Sequence, residues 1–265
     1  MLEAYREYSR IYDQVHERRV SSDVPFWLSE AVQAGSPILE LACGSGRIAL
    51  PLVRYGLRTH GIDNSSEMLQ LLQQKVSLEP ESVRNLLTWE LADMKNFPKD
   101  TKGKYAFAFV AFSALQYLYK KEEQQAVFSR VHQVLKEGGI FIVDVFNPNP
   151  AFVQGWGEPI TLAEVKNSPE GEDRIVWECL PEAYDEKSNI LIMPNRFQIY
   201  HAGREDPETI TIPAQYYCFS QEELEQLFRE AGFGNVETFR NYTKEPFTPE
   251  SPQIIMKGRK VSQNS

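Results

Sequence analysis

The sequence predicts a doubly wound α/β fold, a mostly parallel sheet with helices on both faces, carrying an antiparallel β insertion after its fifth strand. Three observations lead there. Between Pro37 and Phe146, short apolar runs alternate with segments whose apolar residues recur at helical spacing. A glycine-rich turn, Gly44-Ser45-Gly46, follows the first of those runs. After Pro148 the alternation stops, and strand-like runs follow one another through polar turns. Parallel strands need crossover connections, and helices used as crossovers cover the sheet, so the alternating region reads as Rossmann-like.

Taken in order, Tyr5, Tyr8, Ile11, Tyr12 and Val15, then Phe26, Leu28 and Val32 beyond a Ser-Ser-Asp-Val-Pro break, predict two helices before Gly35. Strands are expected over Pro37 to Ala42, Arg58 to Asp63, Leu86 to Leu91, Ala106 to Phe112 and Ile140 to Phe146. Helices are expected near Arg47 to Tyr55, over Ser65 to Val76 and over Lys121 to Leu135, with a Lys-Glu-Gly-Gly turn before the fifth strand. The insertion offers Arg174 to Leu180, Ile190 to Tyr200 and Glu208 to Phe219 as strands. A helix returns at Gln221 to Ala231, with Ser220 as N-cap and Gly232 as C-cap. Candidate strands Asn235 to Asn241 and Gln253 to Lys257 would complete the sheet, and the polar tail from Gly258 is expected to fray. The chain thus divides into an N-terminal helical segment, 1–34, expected to close the site, a Rossmann-like domain over 35–150 and 219–258, and an insertion, 151–218, read as an acceptor lid.

The 265 residues, 42% hydrophobic and 25% charged, suffice for a sizeable core. With 37 acidic against 28 basic side chains, the formal charge of −9 provides no general field for phosphate backbones, which argues against a nucleic-acid substrate. The longest nearly uncharged run, Tyr105 to Tyr119, is shorter than the roughly 20 residues that cross a bilayer. Met1 to Arg19 is charged throughout and is no secretory signal, so a cytoplasmic protein without membrane association is expected. Cys43, Cys179 and Cys218 are odd in number and lack metal-ligand spacing, which predicts reduced thiols and no metal site.

Ile38 to Ala49 is the most informative stretch, a strand passing through the glycine-rich turn into a helix. Gly44-Ser-Gly-Arg-Ile-Ala49 also satisfies a dinucleotide fingerprint, with Asp63 at the distance expected of a ribose-binding acid. Charge separates the two ligands. A dinucleotide brings an anionic pyrophosphate to this turn, whereas S-adenosylmethionine brings a sulfonium and an ammonium and no phosphate. Glu40 at the strand's end favours the cationic ligand, unless it serves only to accept backbone hydrogen bonds.

From about Gly35 to Pro148, and less distinctly beyond, the sequence resembles the class I S-adenosylmethionine-dependent methyltransferases. The resemblance rests on Glu40-Leu-Ala-Cys-Gly-Ser-Gly46, Gly61-Ile-Asp-Asn-Ser-Ser-Glu-Met-Leu69, Ala92-Asp-Met94 and Leu135-Lys-Glu-Gly-Gly-Ile-Phe-Ile-Val-Asp144. Ala42 stands where that family often has glycine, which limits backbone freedom there. The resemblance implies that Glu40, Ala42 and Gly44 line the methionine moiety and that Asp63 accepts both ribose hydroxyls. It further implies that Asn64 and Met68 flank the adenosine, that Asp93 accepts from the adenine amino group and that Met94 packs on the ring or offers its backbone amide. Cys43, Ala92 and Phe112 complete the expected cofactor set. The alternative for Asp93 is a helix or turn cap, and for Met68 a core residue. Cys43 reads as a small side chain in a tight loop rather than a nucleophile.

In-line methyl transfer mainly requires alignment of the acceptor and exclusion of water. The groups expected near the methyl are Ser113, Gln116 and Tyr117, beyond the fourth strand, together with Tyr12 of an N-terminal Tyr-Asp segment comparable to one that folds over the site in the family. Tyr8 and Tyr12 also fit a plain core stripe, and His16 reads as a solvated helix-end residue. Asn147, Trp156, Tyr217 and Tyr242 are candidate acceptor walls. Acidic residues Glu170, Glu172, Asp173, Glu178, Glu182, Asp185 and Glu186 read as a solvated face, with attraction of a cationic amine as the alternative. The resulting expectation is transfer of methyl from S-adenosylmethionine to a small-molecule nitrogen or oxygen, leaving S-adenosylhomocysteine, by a chain that is free to form a homodimer. The alternatives are an NAD(P)-dependent oxidoreductase and a non-catalytic protein that binds the sulfur nucleotides.

Overall fold

A computed structural model describes residues 2–16, 23–97, 103–149, 152, 157–166 and 174–261. Contacts divide the chain into two compact units, Ser22–Asn149 with Cys218–Ser265, and Met1–Ser21 with Pro150–Tyr217.

The larger unit runs α2 (Val24–Ala34), β1 (Ile38–Leu41), α3 (Ala49–Arg54), β2 (Thr59–Asp63), α4 (Ser66–Ser77), α5 (Glu81–Arg84), β3 (Leu87–Leu91), β4 (Tyr105–Val110), a 3₁₀ turn (Ala114–Tyr117), α6 (Lys121–Val134) and β5 (Leu135–Phe146). It resumes with α7 (Gln221–Glu230), β13 (Phe233–Phe239) and β14 (Gln253–Lys260). Its seven strands lie in the order β13-β14-β5-β4-β1-β2-β3. Strands β3, β2, β1, β4 and β5 pair in parallel, and β14 runs antiparallel to both β5 and β13. The order reverses at β1, which is where ligands of doubly wound sheets bind, beyond the carboxyl ends of the strands. The strand starting at Gln253 reaches Lys260, past the expected onset of fraying, because Lys260 donates from Nζ to the Leu135 carbonyl at 3.0 Å and pairs with Glu137 at 3.2 Å. The expected Lys-Glu-Gly-Gly turn is the start of β5 itself, with a register shift between Tyr105 and Phe107 opposite it.

Residues alternate across a strand, so parallel register sorts side chains by face. Ile38, Phe107, Phe109, Ala111, Ile140, Ile142 and Ile255 line one face and bury Phe26, Trp27 and Ala31 of α2. Phe141, on the other face of β5, packs with Phe128 of α6 and Phe228 of α7 at ring distances of 5.3 and 5.5 Å. Glu30 of α2 is fully buried, held by Lys257 of β14 at 2.7 Å and by Lys244. Two helix starts follow directly from sequence. Ser65 accepts from Met68 N at the head of α4, and Ser220 and Glu223 form a reciprocal capping box on α7.

The smaller unit holds α1 (Leu2–His16) and strands β6 (Ile160–Lys166), β7 (Arg174–Cys179), β8 (Ala183–Asp185), β9 (Ile190–Ile192), β10 (Asn195–Tyr200), β11 (Glu208–Ile212) and β12 (Gln215–Tyr217). They form a four-stranded sheet, β11-β10-β7-β6, and a three-stranded one, β12-β9-β8. The expected single strands 190–200 and 208–219 are each broken in two, at Pro194 and Pro213. Proline lacks the N–H that a ladder requires, so at each the chain leaves one sheet and enters the other. The corner is tied by Leu180 N donating to Pro194 O and Met193 N to Ala214 O, at 2.9 and 3.0 Å.

Tyr8, Ile11, Val15 and His16 of α1 lie with Trp177 and Phe197 in the core of this unit. This corrects the reading of His16. It is only 3% exposed, its Nε2 is hydrogen-bonded to the Tyr8 hydroxyl at 3.0 Å, and Tyr12 and Trp177 pack on its ring. The helix end that sequence leaves polar is covered here by aromatic rings. In the acidic segment, Glu178 pairs across strands with Arg196 at 2.8 Å, whereas Glu182, Asp185 and Glu186 are exposed. Trp156, Glu170, Glu172 and Asp173 lie outside the described residues.

Candidate active site

Alternation brings three carboxyls to the α2 face at the carboxyl edge of the sheet. Glu40 registers with Gly61 of β2 and Phe109 of β4, Asp63 lies two residues beyond Gly61, and Asp144 follows Val143, the partner of Val110. All three are under 9% exposed. A fourth, Asp23, sits just ahead of α2 and meets Arg47 of the glycine-rich turn in a buried bidentate pair, both contacts at 2.8 Å. Trp27 Nε1 donates to the same carboxylate at 3.3 Å. Burial pushes the Asp23 carboxyl up, but the hydrogen bonds and charge of Arg47 outweigh it and hold it below the usual range. Among the described residues, the Arg47 guanidinium therefore acts on three buried carboxyls, Asp23, Glu40 and Asp144.

The turn after β1 needs left-handed backbone at Ala42 (φ +55), Gly44 (φ +54) and Gly46 (φ +81). Asp63 holds it. Its Oδ2 accepts from Gly44 N at 2.7 Å and its Oδ1 from Ser65 N at 2.8 Å. Burial raises the Asp63 carboxyl, and those backbone donors draw it back down in part. A Cβ on Gly44 would come within 3.1 Å of Met68 Cε, so the left-handed backbone and the packing of Met68 both call for glycine here. A Cβ on Gly61 would lie 2.6 Å from Cys43 Sγ, inside van der Waals contact. Gly61→Ala is therefore expected to lower unfolding stability by about 1–3 kcal/mol, read from the urea midpoint, with an unchanged midpoint excluding this packing. Burial, and then Glu40 and Asp63, push the Cys43 thiol well up, which removes the thiolate a nucleophile needs.

Across the switch point, Phe112 (φ +56) and Ser113 (φ +60) form a second left-handed turn, at the end of β4. Consecutive non-glycine residues in this region are costly and persist only when surrounding bonds impose them. Asp144 does so. Its Oδ2 accepts from Phe112 N at 3.1 Å and from the Tyr242 hydroxyl at 2.7 Å, and its carbonyl accepts from Ser113 N at 3.1 Å. Phe146 N donates to Ser113 Oγ and to Gln116 Oε1, and Gln116 Nε2 donates back to the Phe146 carbonyl. Gln116 is fully buried, so it clamps the end of β5 rather than meeting an acceptor. Asn147 is tied down at the same strand end. Its Nδ2 donates to Ser251 O at 2.8 Å and Pro249 O at 3.3 Å, holding the chain ahead of β14. Tyr242 is partly buried beneath the turn, where its hydroxyl donates to Asp144 Oδ2 and its ring packs on Phe26 and Trp27.

Burial pushes the Asp144 carboxyl up to about 6, against the hydrogen bonds from Tyr242 and Phe112 that favour its ionised form. A folded-state value above the ordinary 3.8 means that the native protein binds this proton more tightly, so the contribution of Asp144 to stability is fully present at low pH and is lost as pH rises through about 4 to about 6. The full difference corresponds to about 3 kcal/mol. Asp144→Asn is expected to flatten the wild-type decline in unfolding free energy between about pH 4.5 and about pH 7, and parallel profiles for the two proteins would refute this.

At the end of β3, Ala92 N donates to Asp63 O at 2.9 Å, which places Ala92, Asp93 and Met94 beside Asp63. Asp93 Oδ1 accepts from Lys95 N at 2.9 Å, so it does cap a turn, and its Oδ2 lies 3.4 Å from Lys95 Nζ. Asn64 is exposed and Met68 is buried. Tyr117 is 37% exposed. Tyr12 belongs to the smaller unit, where Tyr8 meets it edge-on, and Tyr217 ends β12 of that unit. Sequence reasoning missed Asp23, Arg47 and Asp144. The signal for Asp144 is a carboxyl inside the apolar run Ile140 to Phe146, since Asp is almost never fully buried without a role or partner.

The arrangement fits S-adenosylmethionine on its own terms. Among the described residues Glu40 Oε2 is buried without a hydrogen-bond partner, and the Asp63 carboxyl lies close enough to raise it, so a cationic ligand favours the ionised forms of both while a pyrophosphate would bring further negative charge to buried carboxyls.

Comparison with known proteins points the same way. Residues 38–139 match a family model described as a methyltransferase domain. The chain is 24% identical to the putative methyltransferase YqeM of Bacillus subtilis (strain 168), over 97% of each chain. Among solved structures it resembles the CcbJ methyltransferase from Streptomyces caelestis, with a TM-score of 0.74 and 22% identity over 90% of this chain and 95% of that one. It also resembles SAM-bound CalS10, an amino pentose methyltransferase from Micromonospora echinaspora, with a TM-score of 0.73 and 15% identity over 95% and 97% of the two chains.

Proposed function

We propose that this chain, an S-adenosylmethionine-dependent methyltransferase with the class I Rossmann-like fold, passes the methyl group to a nitrogen or oxygen of a small-molecule acceptor. The single observation that carries the acceptor class is the likeness, over nearly the whole chain, to an amino pentose methyltransferase. The acidic balance of the sequence supports it by disfavouring nucleic acid.

In this reading Glu40, Ala42, Cys43 and Gly44 line the amino-acid end of the cofactor and Asp63 receives the ribose hydroxyls. Asn64, Met68, Ala92, Asp93 and Met94 surround the adenosine. Phe112 borders the transfer side, with Ser113 and Tyr117 as the acceptor-facing groups and Gln116 and Asp144 as positioning residues behind them. When bound, the cofactor supplies an electrophilic methyl whose leaving group is a neutral thioether. The protein's share is then alignment, dry surroundings and a fixed turn at the end of β4.

Incubation with methyl-labelled S-adenosylmethionine and a panel of amino sugars, small amines and hydroxylated compounds, followed by mass spectrometry, tests this. Label in a low-mass product heavier by one methylene is expected. Label appearing in added RNA or protein instead would overturn the acceptor class.

A further inference from the structure

Resting on the cofactor reading above, we propose that Glu40 is a charge-exchange group: in the free protein its carboxyl holds a proton, and entry of the positively charged cofactor displaces that proton to solvent. Glu40 is 3% exposed, and its Oε2 has no hydrogen-bond partner among the described residues. The cation placed to neutralise it, Arg47, directs both terminal guanidinium nitrogens to Asp23. Among the described residues, the other titratable groups facing Glu40 are Asp63 at the end of β2, Asp23 ahead of α2 and Cys43 in the turn, and α3 adds the Ala49 backbone N–H. A buried carboxylate with neutral or negative neighbours takes up a proton rather than remain charged.

The direction of the Glu40 shift agrees with this geometry. Burial, assisted by Asp63 and Asp23, outweighs the opposing charge of Arg47 and holds the carboxyl well above its ordinary value of 4.5. A cation arriving beside it reverses the balance and favours the ionised form. Between the free and the bound values, binding therefore releases a proton and affinity rises with pH, by up to about tenfold per unit. An uncharged nucleoside thioether gains nothing from the same site. Glu40 thus sets a preference for the charged cofactor over neutral adenosine thioethers, and this preference fades in acid.

Calorimetric titration of the full chain with S-adenosylmethionine and with 5′-methylthioadenosine, in buffers of different ionisation enthalpy between about pH 6 and about pH 7.5, reads the exchanged proton directly. Wild type is expected to release up to about one proton per S-adenosylmethionine bound and none with 5′-methylthioadenosine, its affinity for the former tightening about threefold or more as pH rises. Glu40→Gln should bind S-adenosylmethionine without proton release and with a flat pH profile. Binding by wild type without proton release, or full release retained in Glu40→Gln, would overturn the assignment. The two wild-type arms decide it even if the variant does not fold. Absence of S-adenosylmethionine binding by the wild type is a different result, and it would overturn the cofactor reading itself.

Discussion

Arg47→Ala is expected to lower the free energy of unfolding by about 3–5 kcal/mol, measured in urea, the largest effect of any single substitution considered for this chain. The size follows from geometry. Arg47 and Asp23 have side chains only 9% and 7% exposed, and both carboxylate oxygens are engaged at 2.8 Å. Removing the guanidinium leaves Asp23 charged and buried, and it also takes away a positive charge that favours the ionised forms of Glu40 and Asp144. The guanidinium also lies 5.2 Å from the Phe112 ring, so its loss reaches the left-handed turn after β4. The pair Arg47→Met with Asp23→Leu should recover most of the loss, because replacing both partners removes the uncompensated charge. A loss below about 1 kcal/mol for the single variant would mean that the buried pair does not carry this part of the fold.

The second large effect is on binding. Asp63→Ala is expected to raise the dissociation constant for S-adenosylmethionine by about tenfold or more, measured by calorimetry on protein whose circular dichroism matches wild type. Two losses add. The ribose would lose its charged acceptor, and Gly44 N and Ser65 N would lose the carboxylate that fixes the turn. Asp63→Asn, which keeps one carbonyl oxygen and no charge, should fall between the two. Unchanged affinity in the folded alanine variant would remove Asp63 from the site.

Much of this was legible because it is local. The turn Gly44-Ser45-Gly46, the Ser220 cap and each single strand or helix of the alternation from Pro37 to Phe146 are contained within short stretches, and a parallel sheet follows from the crossovers. What was not legible depends on partners distant in sequence. Asp23 reads as part of a helix-start break until Arg47, 24 positions on, is seen to face it. Gln116 looks like a free amide after a strand until Phe146, 30 positions on, is seen to occupy both of its ends. His16 looks solvated until Trp177 covers it. The broken strands are a different case. Pro194 and Pro213 were visible, and the missing N–H at each was reason enough to divide those runs.

Strand β14 lies between β5 and β13, antiparallel to both. During synthesis on the ribosome, β13 therefore emerges with no neighbour to join, and the open side of β5 stays a naked edge until the last strand leaves the exit tunnel. Lys257 on that strand then reaches back 227 positions to the buried Glu30. The sheet cannot be closed vectorially from its N-terminal end, so the final assembly step is long-range and correspondingly slow, and it exposes an apolar edge to other nascent chains for as long as it lasts.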